Sequence, residues 1–354
     1  MISFATLSVN DRIGDNSKLA KLSKLIDWSR LGKYIGKVHK NDINPSNGGR
    51  ESYDKLPMFK LILLGQWNSL SDAELEYCIR IRLDFISFCG FDINDDVPDE
   101  TTICRFRNKL IHQGLIDGLF NEVNKQLEEL NLKVKKADMA IVDATIIESN
   151  ARPYSNKTIE EIPKDRKEIE FKENEEKTTN NDDISCKEEL SADVDAAWLK
   201  KGNKSYFGYK SFATVDEEGF ISKTMTVPAN ESETNKLENM IVDAKSFSGD
   251  KAYDSKNNRR ILRSKGIKTR ILYKKLKNKP MTNWQKKFNK AVSSGRFRVE
   301  QSFGTVKRIF KFRKASYFTT KKVQAQFTMK AMCLNLLKAV NKIELVPPKL
   351  LQTG

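Results

Sequence analysis

Three carboxylates stand apart from the other acids of this chain. Asp143 lies inside the apolar run IVDATIIES, Asp250 follows an abrupt stop in SFSGDKAYDS, and Glu300 is the one acid of the basic stretch SSGRFRVEQSFGTVKRIFKFRKASYF, residues 293–318. A carboxylate inside an apolar strand is costly unless it is paired or holds a metal. A structural salt bridge would satisfy Asp143 alone; a shared site would explain all three. If the three converge, they make an all-oxygen donor set suited to a hard divalent ion such as Mg²⁺. Two such ions roughly 4 Å apart can activate a water or a 3′-hydroxyl and stabilise the leaving oxygen of an in-line phosphodiester displacement. Glu300 should then lie within a few ångströms of Asp143 and Asp250. Other chemistries find little to work with. The two histidines, His39 and His112, are far in sequence from these acids, and the five cysteines form no CxxC pair. A histidine relay, a structural zinc site and a disulfide framework are therefore disfavoured.

The elements that must carry these acids can be read from periodicity. DMAIVDATIIES, rich in Ile and Val, predicts a buried strand with Asp143 near its middle. SYFGYKSFATVDEEGFISKTMTVPAN predicts a β-hairpin turning at DEEG, with Gly219 at the end of the turn. SETNKLENMIVDA predicts a helix, Asp250 the end of a strand, SKNNRRILRSKGI a helix and KTRILY a strand. The stretch that holds Glu300 predicts one long helix, and VQAQFTMKAMCLNLLKAVNKI a final apolar helix. The order is that of a mixed α/β sheet covered by helices. Before it, residues 1–135 read as a helical N-terminal domain, with Ser17 and Ser71 as N-caps and Glu74 completing a capping box. Within that domain DETTICRFRNKL sets Arg105, Arg107 and Lys109 beside apolar residues. It reads either as a helix-turn-helix element lying on phosphates or as an amphipathic helix with a solvated basic face. Residues 154–197 are acidic and poor in aromatics, which predicts a flexible insert within the second domain, 136–345.

Charge narrows the partner. The 354 residues carry a formal net charge of +16, which points to a polyanion. From 251 to 322 the only acids are Asp254 and Glu300 among many Lys and Arg. A solvated face would mix signs, so this tract favours nucleic acid over a lipid surface. No apolar run is long enough to span a membrane, and the first residues do not have the pattern of a signal peptide, which favours a cytoplasmic protein.

Taken together, IVDATIIES, GDKAYDS and RFRVEQSFGTVKR resemble the three acidic motifs of the DDE insertion-sequence transposases, in the large bacterial group around insertion sequences four and five. That family's third motif is Tyr, two residues, Arg, three residues, Glu, six residues, Lys. Arg296, Glu300 and Lys307 keep its spacing, while Ser293 stands at the Tyr position, a departure found in the insertion-sequence-five branch. Ala252 replaces the usual Gly of the second motif. SYFGYKSFATVDEEG and TVPAN are also similar to the family's strands, and VPDETTICRFRNKL to its N-terminal helices.

The resemblance implies a ribonuclease-H-like mixed sheet flanked by helices. It implies a prokaryotic, nucleoid-associated DNA transposase that binds the terminal inverted repeats of its element, then cleaves and transfers strands. Asp143, Asp250 and Glu300 would hold two Mg²⁺ ions, with Mn²⁺ able to substitute. Arg296 and Lys307, one turn before and two turns after Glu300, would grip phosphates, with Arg105 and Arg107 as N-terminal DNA contacts. Partners would be double-stranded DNA and a second copy of the chain in a synaptic homodimer. Two rival readings stay open: a catalytically silent DNA-binding relative, and a nuclease of the same fold without strand transfer.

Overall fold

The computed structural model describes residues 17–36, 52–153, 191–276 and 279–345. Seven helices come first among them: α1 (Lys18–Leu25), α2 (Trp28–Ile35), α3 (Lys55–Asn68), α4 (Asp72–Ile81), α5 (Leu83–Cys89), α6 (Glu100–His112) and α7 (Leu115–Glu129). Side-chain caps set several of their starts: Ser17 Oγ accepts from Ala20 N–H, and Ser71 forms the expected capping box with Glu74. The second half alternates strands and helices: β1 (Ala137–Glu148), β2 (Ala197–Lys201), β3 (Lys204–Val215), β4 (Ile221–Pro228), α8 (Leu237–Met240), β5 (Ala244–Gly249), α9 (Lys256–Ser264), β6 (Lys268–Ile271), α10 (Asn283–Ser293), α11 (Phe297–Arg308) and α12 (Thr320–Leu345).

The strands form one six-stranded mixed sheet with β1 at its centre. β3 pairs antiparallel with β1, and β5 pairs parallel with β1 on the other side. β6 extends the sheet parallel to β5. β4 and β2 share the far edge of β3, β4 against Tyr209–Val215 and β2 against Lys204–Gly208. Gly208 lets β3 come close to β1, since a Cβ there would sit 2.3 Å from the Ile147 carbonyl oxygen. The hairpin turns where expected: buried Asp216 accepts from the Glu218 and Phe220 N–H groups, and Gly219 takes φ +80°.

Side chains alternate across a strand, and here the alternation divides the core. Ala140, Val142 and Phe212 face a cluster with Leu237, Phe247, Tyr253 and Leu262. Ile141, Ile147, Tyr209 and Ala213 face the other cluster, which includes Val299 and Phe303 of α11 and the apolar residues of α12. Asp143 shares the parity of Ile141 and Ile147, so its strand aims it toward α11.

Helix α12 holds the two halves of the chain together. It is buried nearly all round, its polar Gln326, Thr328, Lys330 and Asn335 included, and packs on β4 and on α3, α7 and α1. Its buried Lys330 donates to the Gln66 carbonyl at 2.6 Å and to Ser69 Oγ at 3.1 Å. The N-terminal helices and one face of the sheet thus share a single apolar core.

Three expectations differ from the fold, and one hairpin is new. The stretch 293–318 is not one helix: it breaks at Ser294–Arg296, and α11 ends at Arg308. Beyond it Phe310, Phe312 and Ala315 are buried while Lys311, Arg313 and Lys314 are exposed. Lys311 takes φ +50° and opens a turn, after which the chain bonds to the end of β1 through Glu148. SETNKLENMIVDA yields only a 3₁₀ turn and the four residues of α8, because Ile241 is already extended and Ala244 opens β5. The hairpin of β2 and β3, turning at Gly202 with φ +61°, was not anticipated. Residues 154–190 of the expected insert lie outside the described residues, but 191–197 are ordered. Asp193 is fully buried, accepting from Ser149 Oγ, the Tyr209 hydroxyl and the Thr319 N–H, while Asp195 accepts from the Thr320 N–H at the start of α12.

This packing can be probed by urea unfolding. Asp193→Ala strips three donors, two of them buried, of their acceptor and should cost about 2–4 kcal/mol of stability, against about 1 kcal/mol for Tyr209→Phe. Burial lowers the Lys330 pKa to about 8 from 10.5. Between those values the unfolded chain holds a proton that the folded one releases, so Lys330 makes folding more favourable as pH rises through that window. The stability of the wild type relative to Lys330→Met should accordingly climb between pH 8 and 10.5, read by urea unfolding at each pH.

Candidate functional site

The site begins with Asp143 in the middle of the central strand. Its side chain is only 20% exposed, and burial pushes its pKa up, with Asp250 and Glu233 adding to the push. Two groups act in the opposite sense: the Arg296 guanidinium and the Ala144 N–H, which donates to Asp143 Oδ1 at 2.9 Å. Asp250 follows the last residue of the neighbouring parallel strand and caps the next turn through the Lys251 N–H at 2.7 Å. Parallel pairing of β1 with β5 therefore carries both aspartates to the same region of the sheet.

Arg296 joins them. One terminal nitrogen lies 3.2 Å from Asp143 Oδ2 and the other 3.2 Å from Asp250 Oδ1. Arg296 occupies the N-cap position of α11, directly after the break from α10. The turn passes close over β1: a Cβ on Gly295 would meet Met139 Cε at 2.9 Å. The Arg296 side chain is 13% exposed, and its Nε is buried without a partner.

Glu300 does not complete the cluster. It sits one turn along α11, exposed to solvent. Among the described residues no three His, Cys, Asp or Glu side chains lie close enough to hold a metal ion. The expected closure of all three acids within a few ångströms is therefore corrected. The physical reason is charge: the single guanidinium of Arg296 offsets only one of the two aspartate charges, so a third carboxylate is repelled from the pair.

The other expected residues divide. Lys307 is half-buried and donates through Nζ to the Ile146 carbonyl at 2.9 Å, which pins α11 to β1. Burial, with Arg313 and Lys201 nearby, lowers its pKa. Arg105 is exposed on α6. Arg107 is not an open DNA contact: it is buried, paired with both Asp72 carboxylate oxygens, and lies 4.3 Å over the Tyr317 ring. The helical period that exposes Arg105 turns Arg107 inward with Ile103 and Leu110. Two residues near the aspartates were not singled out in the sequence. Glu233 follows β4 with its carboxylate 3.5 Å from Lys210 Nζ, and Tyr253 is buried with its hydroxyl unpaired. An acid just past the hairpin was the only available signal for Glu233; nothing in the sequence marked Tyr253.

Beside Glu300, α11 and α12 enclose a groove of about 730 Å³ lined by Lys307, Arg308, Arg313 and Lys338, with no carboxylate among its lining residues. Low-dielectric walls and one sign of charge focus a field that draws a polyanion.

Residues 135–336 match the Transposase DDE domain, and residues 7–109 match a Transposase domain, DUF772. The chain belongs to the DDE transposase family. It is 36% identical over 316 residues to the transposase for insertion sequence element IS1106 of Neisseria meningitidis serogroup B, covering 88% of this chain and 98% of that protein. It also aligns with the cryo-EM structure of a piggyBac transposase synaptic complex with hairpin DNA, over 94% of this chain and 76% of that one, at 10% identity and a TM-score of 0.45. This DDE transposase is thus a DNA transposase enzyme, of a family that generally uses divalent metal ions. No helix among the described residues is long and apolar enough to cross a membrane.

For this transposase the groove makes a quantitative prediction. Arg308 and Arg313 are exposed, and removing a cation that neutralises one phosphate should flatten the slope of log affinity against log salt by about 0.9. The Arg308→Ala, Arg313→Ala double variant should therefore bind a duplex more weakly, with a slope smaller by nearly two, measured by fluorescence anisotropy across a salt series.

Proposed function

We propose that this transposase binds the terminal inverted repeats of its insertion sequence, cleaves DNA strands there and joins the freed 3′ ends to a target. Asp143, Asp250 and Glu300 are its metal ligands. The observation that carries this reading is the convergence of Asp143 and Asp250, from two adjacent parallel strands, on a single cation. An oxygen-only pair that already attracts positive charge suits a hard divalent ion, and Mg²⁺ fits that donor chemistry. Two bound ions, Mg²⁺ or Mn²⁺ in its place, would supply activation of the attacking oxygen and stabilisation of the leaving one.

The chain's own residues do the rest. The central strand fixes Asp143 rigidly, and the β5 end fixes Asp250 beside it. Glu300 approaches from α11, whose position over β1 is set by Lys307 and by the packing of Val299 and Phe303. Arg296, Lys307 and the groove beyond them take the DNA phosphates. The sheet, with three antiparallel strands β1, β3 and β4 followed by two parallel ones, supports the ribonuclease-H-like reading. Residues 1–135 then serve as the helical DNA-binding domain, with exposed Arg105 a DNA contact, and 136–345 as the catalytic one. Ser293 in place of the motif tyrosine favours the insertion-sequence-five branch. Pairing two transposon ends calls for a homodimer in the synaptic complex, acting on the nucleoid in the cytoplasm. The presence of all three acids favours this reading over the catalytically silent relative, and the helices ahead of the sheet favour end recognition over a simple nuclease.

Asp143→Asn and Glu300→Gln should each lower Mn²⁺- or Mg²⁺-dependent cleavage of a duplex carrying the element's ends by roughly a hundred- to a thousandfold, with duplex binding retained. Cleavage at the wild-type rate by either variant would remove that residue from the proposed site. Cleavage without joining of the 3′ ends would favour the nuclease.

A further inference from the structure

The guanidinium of Arg296 is placed unusually for an arginine whose only task is to hold phosphate. Its two terminal nitrogens are divided between two carboxylates from different elements, each at 3.2 Å. An arginine free to choose commonly takes one carboxylate with both nitrogens. Here the fork spans the pair, with its side chain 13% exposed. The more buried carboxylate, Asp143, would otherwise be an uncompensated charge inside the sheet, which is expensive. Arg296 is therefore the internal counter-ion of the two aspartates.

The same oxygens that pair with Arg296 are those a divalent ion would need. Carboxylate oxygens bind such ions at about 2.0–2.6 Å, and a guanidinium within hydrogen-bond reach of both carboxylates competes in space and in charge. Arg296 has somewhere else to go. It begins α11, beside a tract built for phosphates, and its Nε has no partner where it is. A phosphate entering the site offers Arg296 a bidentate hydrogen-bond acceptor in exchange for two 3.2 Å ion pairs.

We infer that Arg296 couples DNA to metal: it blocks the Asp143–Asp250 pair until a DNA phosphate draws it away, so that phosphate and divalent cation load cooperatively and each tightens the other. This rests on the reading of Asp143 and Asp250 as metal ligands. The purpose of such coupling is plain in charge terms. Without DNA, Arg296 offsets one of the two aspartate charges and Glu300 stays outside; with DNA, its departure leaves a doubly negative pair that a cation and Glu300 can complete. Coupling between two ligands is reciprocal, so the effect must be visible from either side.

The test uses the full-length chain and Mn²⁺ as probe. Free Mn²⁺ is followed by electron paramagnetic resonance during titration of the wild type, Arg296→Gln and Asp143→Asn, without DNA. Arg296→Gln should bind Mn²⁺ more tightly than the wild type by roughly five- to a hundredfold, the usual span of such couplings. In the second arm the affinity for a fluorescent duplex is measured with and without Mn²⁺. Mn²⁺ should tighten duplex binding by the wild type, and that gain should shrink toward onefold in Arg296→Gln. Equal or weaker Mn²⁺ binding by Arg296→Gln, with binding lost in Asp143→Asn, would overturn the coupling and leave the metal site standing. Unchanged Mn²⁺ binding by Asp143→Asn would remove the metal site and the coupling with it. If Arg296→Gln does not fold, Arg296→Met serves: it keeps an apolar stem and removes the charge, so Mn²⁺ affinity should still rise, and no rise contradicts the inference.

Discussion

A carboxylate in the middle of the central strand has to be compensated, and much of this structure is organised around that requirement. Asp143 cannot move away from the sheet without breaking β1, which is paired on both sides. Compensation must come to it. Parallel pairing delivers Asp250 alongside, which sharpens the problem by adding a second negative charge. The turn between α10 and α11 then brings Arg296 over the pair. Positive charge is thus recruited to a point in the fold where two acids are held by backbone geometry. The arrangement suits a catalyst whose substrate is a polyanion and whose cofactors are cations, because every ligand it takes changes the local charge balance.

The packing explains how such a site is held still. Helix α12 lies against β4 and also against α3 and α7, so the helical N-terminal segment braces the same core that supports the strands. Its first turn is tied by Asp193 and Asp195, which return from the acidic segment and accept from the N–H groups of Thr319 and Thr320. A negative side chain at a helix N-terminus is favourable in its own right. Rigid support of this kind would serve the proposed exchange of one cation for another, which needs fixed carboxylates and a mobile competitor.

Much of this was legible from residue order, for identifiable reasons. Asp143 stood out because an acid in IVDATIIES breaks an apolar run; the DEEG turn and the capping box at Ser71 follow local rules that tertiary contacts did not override. The failures have physical causes too. The apolar Phe310, Phe312 and Ala315 continue what reads as a helical stretch, but Lys311 in the left-handed region ends the helix in a turn that buries them instead. Arg107 and Arg105 look alike in sequence, yet two residues on a helix point to different sides, and Asp72 claimed Arg107. The engagement of Arg296 with both aspartates was invisible because it depends on register between β1 and β5 and on a break at Ser294–Arg296. Glu233 and Tyr253 became visible only once the sheet had been assembled.

The central claim is that Asp143, Asp250 and Glu300 form one metal site whose closure requires Arg296 to leave. A crystal structure of the full chain with Mn²⁺ and a duplex carrying its transposon end, with the ions located by anomalous scattering, tests this most directly. The account predicts Mn²⁺ bound by oxygens of all three acids, with the Arg296 guanidinium moved onto a DNA phosphate. Mn²⁺ bound elsewhere, or bound at the aspartates while Arg296 still bridges them and Glu300 remains in solvent, would contradict it.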